Sequence, residues 1–198
     1  MNKLDYHPLT ALSREEILQR VKASVSAKRF EHILRVEEKA IALARQYGAD
    51  VSQASLAALI HDYAKERAME DFTQVAQDDT LLSWGNNICH GWYGALLAQK
   101  ELKIYDPAVL HAMQVHTTGE VKMSVLDKVI FIADYIEDGR QFKGVEKARQ
   151  LAAVSLDQAV HYKLQQTLTH LLKRELPLFG KTVAAYNYYN QKEKKNGK

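Results

Sequence analysis

Six residues of metal-ligating type are spread along the chain: His32, the adjacent pair His61-Asp62, His90, His116 and Asp134. The pair stands in Ile60-His61-Asp62-Tyr63-Ala64-Lys65, directly after the apolar run Leu56-Ala57-Ala58-Leu59-Ile60. An unpaired carboxylate on the buried side of a helix carries a large desolvation cost. A bound cation removes that cost, and neutral imidazole with carboxylate is a common ligand set for first-row metals. Taken alone, the pair equally suits a helix end where both side chains face water. Asp134 tips the balance. It lies in the most apolar segment of the chain, among Val129, Ile130, Phe131, Ile132 and Ala133, where an unpaired carboxylate is disfavoured. The candidates come from five helices or helix ends, roughly 20–30 residues apart. A helix bundle needs that spacing if each of several elements sends a ligand to one centre.

The elements that must carry them read as helices throughout. Residues 1–12 form an irregular lead-in. Ser13-Arg14-Glu15-Glu16 is a capping box, and Ile17, Leu18, Val21 and Val25 continue a helix to about Ala27. A second helix spans roughly Arg29 to Tyr47, carries His32 near its start and ends at Gly48. Ser52 can cap a third, which brings His61-Asp62 toward its C-terminal end. Residues 66–87 are more polar, with a short helix around Met69–Ala76 and a turn at Gly85-Asn86-Asn87. His90 opens the next helix, where Gly94, Ala95 and Ala98 permit close packing. Asp106-Pro107 starts the helix that carries His111 and His116. Ser124 to about Ile136 is a central helix. Its run Val129–Ala133 has strand-like periodicity, but length and flanks favour helix. Helices over about Val145–Val154, Ser155–Arg174 and Thr182–Asn190 follow, and the tail Lys192–Lys198 is expected to be frayed and solvated. The expected fold is all-α: one compact helical domain over 1–198, its core at about 29–140 and C-terminal helices at about 145–190.

Composition bounds the function. Among 198 residues there are only three Pro and nine Gly, 46% hydrophobic and 26% charged residues, as in an ordinary globular protein. A net charge of +3 suits an anionic small molecule and is too mild to imply nucleic acid. The single Cys89 excludes an intramolecular disulfide framework and fits a reducing cytoplasm. Met1–Tyr6 lacks the apolar core of a signal peptide, and no run is long enough to span a bilayer. The expected location is cytoplasmic, with no membrane partner. The oligomeric state stays open, a homodimer included.

The order H…HD…H…H…D resembles the HD-domain metal-dependent phosphohydrolases. The fuller pattern resembles the bacterial YqeK-type family, the symmetrical bis(5'-nucleosyl)-tetraphosphatases that hydrolyse diadenosine tetraphosphate. The matching pieces are His61-Asp62-Tyr63-Ala64-Lys65, His90-Gly91-Trp92-Tyr93-Gly94-Ala95, His116-Thr117-Thr118-Gly119 and Asp127 through Glu137, within about residues 15–175. Asp138-Gly139-Arg140 stands where many relatives carry a proline. The resemblance implies two divalent metal ions, iron foremost, although this ligand type also suits manganese or zinc. It implies that His32, His61, Asp62 and Asp134 hold one metal, and that Asp62 bridges to a second completed by His90 and His116. It further implies Asp62 and Lys65 as catalytic residues, Lys65 and Arg140 as substrate-binding residues, and a dinucleoside polyphosphate or an ADP/GDP-like nucleotide as ligand. The expected products from diadenosine tetraphosphate are two ADP. Two other functions compete: an HD-superfamily phosphohydrolase acting on another nucleotide, and a non-catalytic nucleotide-binding regulatory module.

Neighbouring residues carry weaker signals. Lys65 shares a helix face with Asp62. Arg140 sits in a glycine-flanked loop, where a guanidinium can grip phosphate bidentately or simply face solvent. Asp127, two turns before Asp134, would either orient a ligand imidazole or pair with a lysine. His111 lies about 140° around the helix from His116, so the two should not share a centre. His161 and His170 fall outside the pattern, Cys89 reads as a small buried thiol, and Tyr186, Tyr188 and Tyr189 read as packing.

Overall fold

The computed structural model describes residues 4–76 and 80–196. Met1–Lys3, residues 77–79 of the polar stretch, and the last two residues of the tail lie outside that description. Among the described residues there are ten α-helices and one short 3-10 turn at Leu82–Trp84, with no strand beyond one isolated antiparallel bridge between Thr10 and Ile104. The α-helices are α1 Arg14–Ser24, α2 Ala27–Tyr47, α3 Val51–Ile60, α4 Met69–Thr73, α5 Asn86–Glu101, α6 Pro107–Val115, α7 Val125–Ile136, α8 Val145–Val154, α9 Leu156–Lys173 and α10 Gly180–Asn196. Among the described residues no helix is long and apolar enough to cross a membrane.

α7 is the hub and packs against α2, α3, α6, α8 and α9. Val129 through Ala133 are fully buried and helical, so the apolar run is a core helix. Its start is a capping box in which the Ser124 hydroxyl accepts from the Asp127 amide and the Asp127 carboxylate accepts from the Ser124 amide. The close approach of α5 to α6 depends on Gly91. A Cβ there would sit 2.9 Å from the Gln114 carbonyl oxygen and 3.2 Å from that of Met113. Because the obstruction is backbone, neither can give way. The resulting proximity puts His90 beside His116.

Several boundaries differ from expectation. α1 stops at Ser24, because Ser26 caps α2, with its hydroxyl accepting from the Arg29 amide. Asp50, not Ser52, caps α3. α4 is shorter, ending at Thr73, and α5 begins at Asn86, one turn before His90. α10 runs from Gly180 to Asn196, so the described part of the polar tail continues a helix where fraying was expected. Lys192 anchors that extension through an ion pair of 2.6 Å with Asp157 on α9. The lead-in is tied down as well: Tyr6 is 2% exposed and hydrogen-bonds the Ser55 hydroxyl at 2.7 Å.

Candidate metal centre

All six sequence-derived ligands meet in one place. His32 comes from the second turn of α2, His61 is the C-cap of α3 and Asp62 the residue after it. His90 lies in the second turn of α5, His116 is the C-cap of α6, and Asp134 stands near the end of α7. Two of the positions, His61 and His116, are C-caps that keep right-handed helical backbone angles.

The four imidazoles are oriented alike. Nδ1 of His61 lies 2.7 Å from the Ala58 carbonyl oxygen, that of His90 2.7 Å from the Asn86 carbonyl, and that of His116 2.6 Å from the Met113 carbonyl. A carbonyl only accepts, so each of these Nδ1 atoms carries a hydrogen, and in the neutral ring Nε2 is left with a lone pair. His32 Nδ1 is held instead at 3.2 Å by the Glu137 carboxylate. The four Nε2 atoms converge on Asp62 and Asp134. Asp62 Oδ2 lies 3.8 Å from His32 Nε2 and 3.5 Å from His61 Nε2, while its Oδ1 lies 3.3 Å from His90 Nε2 and 3.7 Å from His116 Nε2. Asp134 Oδ1 is 3.2 Å from His32 Nε2 and 4.0 Å from His61 Nε2. The two oxygens of one carboxylate thus face two different sets of donors.

The donor set fits divalent metal ions. Nε2 of His32 and of His61 are buried without a hydrogen-bond partner, and such atoms require an explanation. His90 Nε2 and His116 Nε2 face each other at 3.1 Å. With both Nδ1 atoms protonated, two lone pairs meet there, and the single Thr117 hydroxyl hydrogen cannot serve both (3.3 and 3.1 Å). Two groups of ligand atoms are close enough to share an ion: His32, His61 and Asp134, and His61, Asp62 and His116.

Protonation points the same way. Burial pushes His116 down to about 4, with the crowding of His90 and His61 adding to the effect, so its imidazole is in the neutral, metal-binding form. Burial opposes charge on both aspartates, but the surrounding donors and cations hold each well below the usual carboxylate range: His61, His116 and His90 around Asp62, and His32, Lys163, His61 and Arg140 around Asp134. Burial also opposes charge on His61, and Asp62 and Asp134 more than offset it, raising its pKa. The cluster therefore favours positive charge at His61 Nε2, the position a metal ion would fill.

Cations ring the mouth. Arg29 Nη1 lies 2.8 Å from Asp62 Oδ2, and Arg140 Nη2 lies 2.6 Å from Asp134 Oδ1. Arg29, Lys28, Arg35 and Arg140 line a cavity of about 360 Å³ that reaches His32. Lys65 Nζ donates to Asn87 Oδ1 at 3.1 Å and lies 3.5 Å from His90 Nδ1, and burial lowers its pKa. Lys65 and Arg140 thus each stand beside a residue of the candidate cluster, His90 and Asp134.

Asp127 does not orient a ligand. It caps α7, and its Oδ1 holds His111 Nδ1 at 2.9 Å, while His111 Nε2 reaches Glu120 at 2.9 Å. Capping leaves the carboxylate at the far end of α7 from the cluster. His111 accordingly stays out of the centre, and Cys89 is a buried thiol donating to the Leu81 carbonyl.

Three residues around the cluster escaped the sequence reading. Arg29 sits one turn before His32 on α2. Glu137, 2% exposed, accepts from His32, from Arg35 Nε at 2.7 Å and from the Gly139 amide at 2.6 Å. Lys163, 5% exposed on α9, donates to the carbonyls of Phe131 (2.6 Å) and His116 (3.2 Å), and its Nζ lies 3.8 Å from Asp134 Oδ2. Burial pushes Lys163 down to about 8. A signal for Lys163 existed: a lysine flanked by Val160 and Leu164 on the apolar face of α9.

Glu137 supports a prediction. Carboxylates behind ligating imidazoles raise ligand basicity, and losing one typically costs about 10–100-fold in metal affinity. Glu137→Gln keeps the shape and removes the charge, so divalent-metal affinity measured by calorimetry should fall by that order. An unchanged affinity would leave Glu137 a purely structural partner of Arg35.

Comparison with known proteins is consistent with this geometry. The HD domain family matches residues 29–139. A protein of Halalkalibacterium halodurans named bis(5'-nucleosyl)-tetraphosphatase, symmetrical, is 42% identical over 181 residues, covering 89% of this chain and 96% of the relative. A Bacillus subtilis protein of the same name is 38% identical over 181 residues, covering 89% and 97%. Among solved structures, a crystal structure from Clostridium acetobutylicum, described as a predicted HD superfamily hydrolase involved in NAD metabolism, superposes with a TM-score of 0.86 at 34% identity, covering 91% of this chain and 98% of that one.

Proposed function

The chain belongs to the HD-domain family, in the group of the symmetrical bis(5'-nucleosyl)-tetraphosphatases, and on that premise we propose that it is a hydrolase cleaving diadenosine tetraphosphate and related dinucleoside polyphosphates symmetrically into nucleoside diphosphates. The observation that carries the reading is the position of Asp62, whose two oxygens face separate donor sets, His32 with His61 and His90 with His116. We assign His32, His61, Asp62 and Asp134 to one divalent ion and Asp62, His90 and His116 to a second, with iron the first candidate. When bound, such ions supply Lewis acidity, lowering the pKa of water and offsetting charge on phosphoryl oxygens.

The chain's own residues do the rest. The carbonyls of Ala58, Asn86 and Met113 fix three imidazoles with their lone pairs inward, so little reorganisation is needed on loading. Arg29 and Arg140 present charge at the mouth, where a tetraphosphate must lie, and Lys65 stands beside Nδ1 of His90. Arg140 spends its Nε on the Asp134 carbonyl and its Nη2 on the Asp134 carboxylate, and of its five N–H groups others remain for phosphate. Water attacks an inner phosphorus and forms the new P–O bond as the bond to the central bridging oxygen breaks. That oxygen leaves as part of one ADP, whose terminal charge Lys65 and Arg140 offset. The attacked phosphoryl becomes the terminal phosphate of the second ADP, and the proton of the water passes to solvent. No side-chain nucleophile takes part, so no covalent enzyme intermediate forms.

Early products, separated chromatographically after incubation of metal-loaded protein with diadenosine tetraphosphate, should be ADP alone. ATP with AMP would refute symmetrical cleavage. A second reading, hydrolysis of another nucleotide, draws on the description of the Clostridium structure. Faster turnover of another nucleotide in a substrate panel would favour it.

A further inference from the structure

A second cavity, of about 430 Å³, opens between the loop after α7 and the C-terminal half of α9. Its walls are apolar at Tyr135, Phe142 and Leu171 and polar at Gln166, Thr167 and His170. The rings of Tyr135 and Phe142 lie 4.8 Å apart at 48°, and Phe142 is 36% exposed. No step above uses any of these residues. An apolar cavity with a few convergent polar groups is the usual form of a small-molecule site, whose volumes run from about 300 to 1,000 Å³. This one has room for a nucleoside and not for a whole dinucleotide.

Its position identifies the occupant. Tyr135 is the residue after Asp134, and Lys163 Nζ lies 5.5 Å from the Tyr135 ring centroid and 3.8 Å from Asp134 Oδ2. Phe142 follows Arg140 by two residues, and Arg140 holds Asp134 Oδ1. One side chain, Lys163, thus stands between the Tyr135 ring that lines the cavity and Asp134 of the candidate metal cluster. A substrate whose phosphates lie at the cationic mouth carries its nucleosides outward from there. We infer that the Tyr135–Phe142 cavity binds one of the two nucleosides of the substrate, the base against the exposed aromatic ring and its edge read by the Gln166 amide and the Thr167 hydroxyl. The inference rests on the proposed function for its substrate class. It assigns base preference to α9 and the 141–143 loop, away from the metal ligands.

Phe142→Ala and Gln166→Ala test it, since both side chains are at least partly exposed and neither touches the cluster. Phe142→Ala should raise KM for diadenosine tetraphosphate about tenfold or more, the order of one lost aromatic–base stack. Metal content, kcat and inhibition by inorganic tripolyphosphate, which has no base, should stay as in the unaltered protein. Gln166→Ala should change the ratio of KM between adenine and guanine substrates. An unchanged KM in Phe142→Ala, or equal weakening of tripolyphosphate, would overturn the assignment. Photolabelling with 8-azidoadenosine diphosphate separates this inference from the function it rests on. Label within residues 135–147 or 166–173 supports the cavity even if the tetraphosphate is not cleaved, and label confined elsewhere overturns it even if the tetraphosphate is.

Discussion

Asp62→Ala is expected to reduce turnover of diadenosine tetraphosphate by at least about 10³-fold and to lower bound divalent metal together with it. Loss of a residue behind a ligand typically costs about 10–100-fold, and loss of one charge-stabilising contact about 10²–10³. Asp62 exceeds both, because each of its oxygens serves a different donor set. The substitution also leaves four inward Nε2 atoms with one remaining aspartate between them, and it frees Arg29, whose Nη1 lies 2.8 Å from Asp62 Oδ2, to compete as a positive charge where a metal should sit. Metal analysis and initial rates on the same preparation, with circular dichroism to establish folding, provide the check. A folded variant with full metal content and undiminished rate would remove Asp62 from the centre.

Arg140→Ala should lower kcat/KM by about 10²–10³ with an opposite signature at the metal. In the structure its guanidinium occupies Asp134 Oδ1 at 2.6 Å, the oxygen that also faces His32 and His61. Guanidinium and metal ion compete for that oxygen, so removing Arg140 should leave divalent affinity equal to or above that of the unaltered protein. Loss of activity through loss of metal would show the reverse. Arg140→Lys should recover only part of the rate, because an ammonium keeps the charge but not the planar fork. A rate unchanged in Arg140→Ala would confine the residue to balancing Asp134.

Much of this candidate site was legible because burial and charge conflict at the residues that form it. Asp134 inside Val129–Ala133 is conspicuous in any hydropathy reading, and His61-Asp62 gains meaning from the apolar run before it. Glycine and capping signals placed several helices, since Ser13 with Glu16, Gly48 and Asp106-Pro107 act through local backbone chemistry. The partners of residues joined by long-range contact were not legible, even where, as at Lys163, a charge on an apolar face was. Lys163 reaches Asp134 from α9, and Glu137 reaches back to His32 on α2. Spacing along the chain carries no trace of either meeting. Asp127 was misplaced for a local reason. Ser124-x-x-Asp127 is itself a capping box, and that role commits the carboxylate to the start of α7 and to His111. The C-terminal helix was cut short because a lysine-rich segment looks solvated until Asp157 is brought beside Lys192.

The central claim is that Asp62 lies between two metal ions. Anomalous diffraction from crystals loaded with iron or manganese tests it most directly. The account predicts two peaks about 3.5–4 Å apart, the spacing of two-metal hydrolytic sites, one beside His32, His61 and Asp134 and the other beside His90 and His116, with Asp62 between them. A single fully occupied peak at saturating metal, or two peaks that Asp62 does not join, would contradict it.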